Sequence, residues 1–246
     1  MDHYESTKDR YTEDKEYTKA RQEKHKEIMD DFFNSNVNLL TPPEAILLGG
    51  GSGVGKSTMM DFLLKDFENR DIPIVVIDSD KIKEKIPEYE EKLKSDKKNA
   101  ASYVHDESSD ISADLISKCI SEGKNFIYDG TMKNLEKYKG IIQNARDNNY
   151  AVVAMVVDTS IDIARDRVYV RFKKTGRNVK DEDIVASHKG VSQVYPILKD
   201  MVDEYFLVDT SSDEVPFKYV VTKFRGHEEE VHDEEKLQQF LEKWHN

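Results

Sequence analysis

Residues 45–57 read Ala45-Ile46-Leu47-Leu48-Gly49-Gly50-Gly51-Ser52-Gly53-Val54-Gly55-Lys56-Ser57. A short apolar run feeds a glycine-rich stretch that closes on Lys-Ser, and Ser57 to Phe67 then has the spacing of an amphipathic helix. From Gly50 to Ser57 the chain fits G-x-x-x-x-G-K-[ST] at every fixed position, between a predicted strand and a predicted helix as that motif requires. Glycines let successive backbone N–H groups turn towards one phosphate, and the helix N-terminus adds its positive dipole end. The expected nucleotide-binding residues are therefore Gly50, Gly51, Ser52, Gly53, Val54, Gly55, Lys56, Ser57 and Thr58. Lys56 is expected to reach the β and γ phosphates of ATP or GTP, and the Ser57 hydroxyl to coordinate Mg²⁺.

Working outward, the same rhythm repeats. Ile74-Val75-Val76-Ile77 ends at Asp78-Ser79-Asp80, Asn125-Phe126-Ile127-Tyr128 ends at Asp129-Gly130-Thr131, and Ala151 to Val157 is apolar without alternation. Such runs suit strands covered on both faces. With helices predicted between them, over 135–148, 160–174 and 181–203, they imply an α/β fold with a parallel, doubly wound sheet. Tyr205 to Val208 forms a further predicted strand. The expected organisation is a polar helical N-terminal arm (1–40), a P-loop kinase domain (41–212) and a small C-terminal strand–helix extension (213–246). Within the arm, residues 1–34 read as polar helix. The first 17 lack an apolar face, which leaves them without a core to fold against.

Composition narrows the function classes. A net charge of −12 over 246 residues is a poor basis for nucleic-acid binding, which needs a basic footprint. One cysteine rules out an intramolecular disulfide, and no apolar stretch approaches a membrane span, so a cytoplasmic chain with no membrane contact is expected. No N-K-x-D tetrapeptide supports a GTPase, and no long apolar strand ending in Asp-Glu supports a motor ATPase.

In parallel sheets of this kind ligands bind beyond the carboxyl ends of the strands. Asp78, Asp80 and Asp129 fall there. A carboxylate at Asp78 or Asp80 could take the proton of an acceptor hydroxyl as the phosphoryl group arrives. Asp129 could hold Mg²⁺ through water or bind substrate hydroxyls. Arg167, Arg171 and Lys174 line up at i, i+4, i+7 beside the apolar stripe of their helix, and Thr175-Gly176-Arg177 follows. Guanidinium groups on such a lid can neutralise charge on a transferring phosphoryl group. Cys119 belongs to an apolar stripe, and the seven histidines show no metal-ligand spacing.

The ordered set resembles the zeta-toxin family of P-loop kinases. It comprises the Gly-Gly-Gly-Ser-Gly-Val-Gly-Lys-Ser loop, Ile77-Asp78-Ser79-Asp80, Val104-His105-Asp106-Glu107-Ser108-Ser109, Tyr128-Asp129-Gly130-Thr131 and the arginine segment ending at Arg177. The resemblance implies ATP and Mg²⁺ as donor system and a nucleotide-sugar hydroxyl, such as that of UDP-N-acetylglucosamine, as acceptor. It implies Asp80 as the base, and Arg167 or Arg171 together with Arg177 at the nucleotide phosphates. It further implies Asp78, Asp129, Thr131 and Lys133 at the substrate, with one acid among Glu107, Asp110 and Asp114, of which Glu107 is the chosen candidate. An antitoxin-like protein partner is also implied. Asp129 stands where the founding toxins carry Glu-Gly-Thr, and Lys133 where an arginine often follows. Two other readings remain beside this one: a polynucleotide 5′-kinase, and a non-catalytic nucleotide-binding interaction module.

Overall fold

The computed structural model describes residues 6–33, 40–175, 179–212 and 214–245. Its first elements are helix α1 (Thr7–Tyr11), a two-stranded antiparallel hairpin of β1 (Thr12–Glu13) and β2 (Glu16–Tyr17), and helix α2 (Lys19–Phe32). Strand β3 (Glu44–Gly49) and helix α3 (Lys56–Asn69) flank the glycine loop. Then come β4 (Val75–Asp78), α4 (Ser79–Lys85), α5 (Pro87–Ser95), α6 (Ala100–Tyr103), α7 (His105–Ser121), β5 (Phe126–Asp129), α8 (Leu135–Asp147) and β6 (Ala151–Asp158). The chain continues through α9 (Ile161–Thr175), α10 (Asp181–Leu198), β7 (Glu204–Asp209), β8 (Lys218–Lys223), β9 (Glu230–Val231) and α11 (Glu234–Glu242).

The main sheet has the order β4-β5-β3-β6-β7-β8-β9. Strands β4 to β7 are parallel, and β8 and β9 add antiparallel at one edge, so the C-terminal strands extend the same sheet. Period-two alternation distributes each central strand between two cores. Ala45 and Leu47 of β3 face the same core as Val152, Ala154 and Val156 of β6, together with α7 and α8. Ile46 and Leu48 face the opposite core with Val153, Met155 and Met59, Leu63 and Phe67 of α3. Both faces are covered, which is why these strands carry no polar alternation. Helix α10 ends at Leu198, short of the predicted 203, because Pro196 removes a backbone donor in its last turn and a 3-10 turn (Lys199–Met201) follows.

The N-terminal arm departs most from its sequence reading. It is not one polar helix, because Asp14 and Lys15 take positive φ and turn the chain into the hairpin. Nor is it unsupported: it is anchored by charge. Arg21 pairs with Glu107 of α7 (Nε–Oε1 2.5 Å) and with Glu88 of α5 (2.7 Å), and its guanidinium sits over the Tyr11 ring at 4.0 Å. His25 meets Glu107 at 2.7 Å, and the Tyr17 hydroxyl donates to Asp110 at 2.7 Å. The Glu107 side chain is fully buried. Burial pushes its carboxyl up, yet hydrogen bonds from His25 and Arg21 outweigh that and pull it down to about 2.

A buried ion pair adds little over a well-packed apolar pair, but removing one partner strands the other charge. Arg21→Met leaves two carboxylates facing a low-polarity cleft, and at pH 7 it is expected to cost about 3–5 kcal/mol. A folded-state pKa held below the unfolded value gives stability that is complete above the unfolded pKa and disappears as pH falls towards the folded one. Urea unfolding of Arg21→Met and wild type at pH 7 and pH 4 is therefore expected to show a smaller difference at pH 4. Equal losses at both would show that packing, not charge, decides.

Candidate active site

The glycine loop joins the end of β3 to the first turn of α3, and it takes backbone conformations that side chains resist. Gly53 has φ of 82°, and a Cβ there would lie 2.5 Å from the Ala164 carbonyl oxygen. At Gly51 the constraint is contact instead, since a Cβ would meet the His188 ring at 2.4 Å.

Residues far away in sequence clamp this loop. The Ser52 amide donates to Ser187 Oγ at 3.0 Å, and His188 Nε2 donates to the Ser52 carbonyl at 3.1 Å, both from α10. Burial pushes the His188 imidazole down to about 4, so it stands neutral with its proton on Nε2. Thr210, just past β7, donates to the Val54 carbonyl at 2.6 Å. Arg167 in turn holds Thr210 through both terminal guanidinium nitrogens, Nη1 donating to Oγ1 at 3.0 Å and Nη2 to the carbonyl at 2.6 Å. Arg167 belongs to the arginine row already singled out; Ser187, His188 and Thr210 carry no sequence signature of this bracing role beyond the helical reading of 181–203.

Two cavities meet at the loop. One, of about 660 Å³, lies over the carboxyl ends of β4 and β5 and contains Lys56, Asp78, Asp80, Asp129, Thr131 and Lys133. The other, of about 700 Å³, contains Thr58, Arg167, Thr210, Val215 and Pro216. Gly53, Gly55, Ser57 and Arg171 line both. Arg171 therefore stands at the junction, whereas Arg167 is held on the far side. Arg177 lies outside the described residues.

Lys56 Nζ donates to the Gly50 carbonyl at 3.3 Å and lies 4.0 Å from Asp129 Oδ1. That oxygen is buried and has no hydrogen-bond partner among the described residues. Burial pushes the Asp129 carboxyl up to about 6; Lys56 opposes the rise, and Asp78 and Asp80 add to it. Gly130 and Thr131 follow in a turn that Tyr138 supports, its hydroxyl accepting the Met132 amide at 3.2 Å. Asp78 serves as N-cap of α4, accepting from the Asp80 amide at 2.8 Å. Asp80 sits in the first turn of α4 with its Oδ1 2.9 Å from Lys83 Nζ.

Glu107 is a correction. It does not line the cavity, because its carboxylate points to the back of α7 and is consumed by Arg21 and His25. Asp110 is likewise turned to Tyr17 and Lys8. The cavity face of α7 carries His105 and Ser109, one turn apart.

A phosphate-sized cradle, a lysine reaching back across it and an unsatisfied carboxylate oxygen beside that lysine fit a nucleoside triphosphate with its cation. Among the described residues no group of three or more His, Cys, Asp or Glu could hold a metal ion. A Mg²⁺ ion would thus be held by Ser57 and the nucleotide's own phosphates. No described helix is long and apolar enough to cross a membrane.

The fold is that of the P-loop kinases, and the loop is its phosphate-binding loop. Residues 30–213 match the Zeta toxin family, and the chain belongs to it. Toxin PezT of Streptococcus pneumoniae serotype 4 is 28% identical over 132 residues, which are 54% of this chain and 51% of that one. Toxin zeta of Streptococcus pyogenes is 32% identical over 89 residues, 36% and 30% of the two chains. A calmodulin calcium-dependent NAD kinase of Arabidopsis thaliana is 33% identical over 112 residues, 43% of this chain and 21% of that one. The chain thus matches about half the length of its pneumococcal relative and less of the others. A structure from the PezAT chromosomal toxin–antitoxin system of Streptococcus pneumoniae superimposes with a TM-score of 0.69, covering 96% of this chain and 98% of that one at 21% identity. The AvrRxo1-ORF1:-ORF2 complex with ATP gives 0.68 over 92% and 73% at 15% identity. Both show the same fold.

Two predictions follow from this geometry. Asp129 has a folded pKa above its unfolded value, so its ionised form opposes folding, and stability rises as pH falls through about 6. The elevation corresponds to on the order of 3 kcal/mol. Asp129→Asn is expected to raise the thermal midpoint at pH 8 and to lose that advantage near pH 4, as read by calorimetry. Gly51→Ala forces the His188 ring away from Ser52 and is expected to weaken ATP binding in titration calorimetry. Gly140→Ala, on open helix surface, should leave binding unchanged.

Proposed function

We propose that the chain transfers the γ-phosphoryl group of ATP to a sugar hydroxyl of a nucleotide sugar, with UDP-N-acetylglucosamine as the first candidate. The observation that carries this reading is the placement of Asp80 and Asp129 in the cavity that opens beside Lys56. The acceptor hydroxyl lies towards Asp80, which takes its proton as the oxygen bonds to the γ phosphorus and the bond to the β-phosphate oxygen breaks. Lys56 and Arg171 stand where charge spreads over the moving phosphoryl group, and their cationic groups oppose it. Mg²⁺ held at Ser57 would neutralise phosphate charge. Arg167, through Thr210, keeps the far wall against which the nucleoside lies. Asp78, Thr131 and Lys133 meet the acceptor, and the Asp129 carboxylate can accept a hydrogen bond from one of its hydroxyls. Arg177 belongs to the same proposal on the family pattern alone.

The Arabidopsis relative is named an NAD kinase, which makes NAD a second acceptor to try. An antitoxin-like protein is the proposed partner, since the PezAT neighbour comes from a toxin–antitoxin system.

The test incubates the protein with ATP, Mg²⁺ and a panel of nucleotide sugars and NAD, and looks by mass spectrometry for one added phosphate. Asp80→Asn and Lys56→Ala are expected to reduce transfer by about 10²–10⁴-fold, the usual worth of a positioned acid–base group or a charge-stabilising donor. Wild-type turnover in both variants would sink the reading. ATP binding with no acceptor modified would favour the interaction module.

A further inference from the structure

We propose that Lys83 is the positioning residue of the base: from one turn along α4, its ammonium holds the Asp80 carboxylate at the mouth of the acceptor cavity. This rests on the reading of Asp80 given above. Lysine is almost never buried unless its charge is paired, yet Lys83 is 8% exposed, between the fully buried Ile82 and the next core residue, Ile86. Its Nζ stands 2.9 Å from Asp80 Oδ1, and both residues line the cavity.

Comparison with similar pairs in the same chain separates this contact from surface decoration. Lys24–Glu27 and Lys139–Glu136 share the same helical spacing, but each of their side chains is more than a third exposed. Such pairs contribute little and exchange partners with water. In Lys83–Asp80 the lysine side chain is only 10% exposed while the carboxylate is 41% exposed. The cation is fixed by the core and the anion faces the cavity. Asp80 is thereby held at both ends, its amide by Asp78 Oδ1 at 2.8 Å and its carboxylate by Lys83.

The pair has a chemical consequence. Asp78 and Asp129 raise the negative potential around Asp80, while His105 of α7 and Lys137 of α8 face the same space, with Lys56 beyond Asp129. Two carboxylates so close to a third favour its protonation, which would disable a base. The Lys83 ammonium, 2.9 Å from Asp80 Oδ1, opposes them and favours the ionised carboxylate.

The experiment follows the ¹³C-carboxyl resonance of Asp80 through a pH titration of the full chain, assigned by its loss in Asp80→Asn. In Lys83→Met the midpoint is expected to rise by about one pH unit, and in Lys83→Arg to stay near wild type. Lys83→Gln, which keeps the polar end group, must also raise it and serves if Lys83→Met fails to fold. With UDP-N-acetylglucosamine as acceptor, kcat should fall in Lys83→Met while KM for ATP stays unchanged. An unchanged Asp80 midpoint in the folded neutral variants overturns the proposal, even if the melting temperature drops, because a structural lysine would lower stability alone. The titration needs no turnover. Wild-type transfer in Asp80→Asn would therefore discredit Asp80 as the base without being mistaken for a failure of the Lys83 contact.

Discussion

A loop that grips phosphate with its backbone has to keep its amides pointed at an empty space, and the carbonyls decide whether it can. In a planar trans peptide the C=O and the following N–H point in opposite directions. Holding the Ser52 carbonyl outward on His188, and the Val54 carbonyl outward on Thr210, therefore turns the Gly53 and Gly55 amides inward. The Ser52 amide is already spent on Ser187. The cradle is built by fixing the outside of the loop, with side chains from α10 and from the end of β7. At Gly51 glycine is needed because a Cβ would collide with the His188 brace itself, and at Gly53 because it would meet the Ala164 carbonyl.

That arrangement explains the distribution of charge in an acidic chain. The chain carries a net charge of −12, while the cations at the loop are few and placed. Lys56 lies against Asp129, Lys83 against Asp80, and Arg171 at the meeting of the two cavities. Asp129 carries a repulsive cost there, since burial and two further aspartates raise its carboxyl above the ordinary range. Selection for stability alone would remove such a group. Its presence is the mark of a site that binds something the empty protein lacks.

How much of this the sequence could carry depends on the range of the interaction. β3, the loop and α3 were legible because strand period, glycine spacing and helix period are local. β4, β5 and β6 were legible because burial on both faces removes polar alternation. The placement of Asp78, Asp80 and Asp129 at strand ends came with the topology. What escaped were contacts between residues 86 to 156 apart: Thr210 on Val54, His188 on Ser52 and Arg21 on Glu107. Glu107 shows how fine the margin is. His105 and Ser109 face the cavity, and a residue midway between them on a helix must face away. Nothing local announced that the buried face would be met by Arg21, a charged residue on a helix with only a weak apolar stripe.

The two sides of the site are therefore built on different principles. The glycine loop is backbone held by distant braces, so its geometry depends on the whole fold and tolerates little change. The cavity over β4 and β5 is instead lined by side chains on strand ends and on the first turns of α4 and α7, each held by one neighbour: Asp80 by Lys83, the segment after Asp129 by Tyr138, and the His105 face of α7 by the Arg21 cluster behind it. A substitution there re-aims one group without disturbing the loop. Family membership thus extends furthest for nucleotide binding and least for the acceptor, because a common fold constrains the braces of the loop and leaves the acceptor wall free to vary.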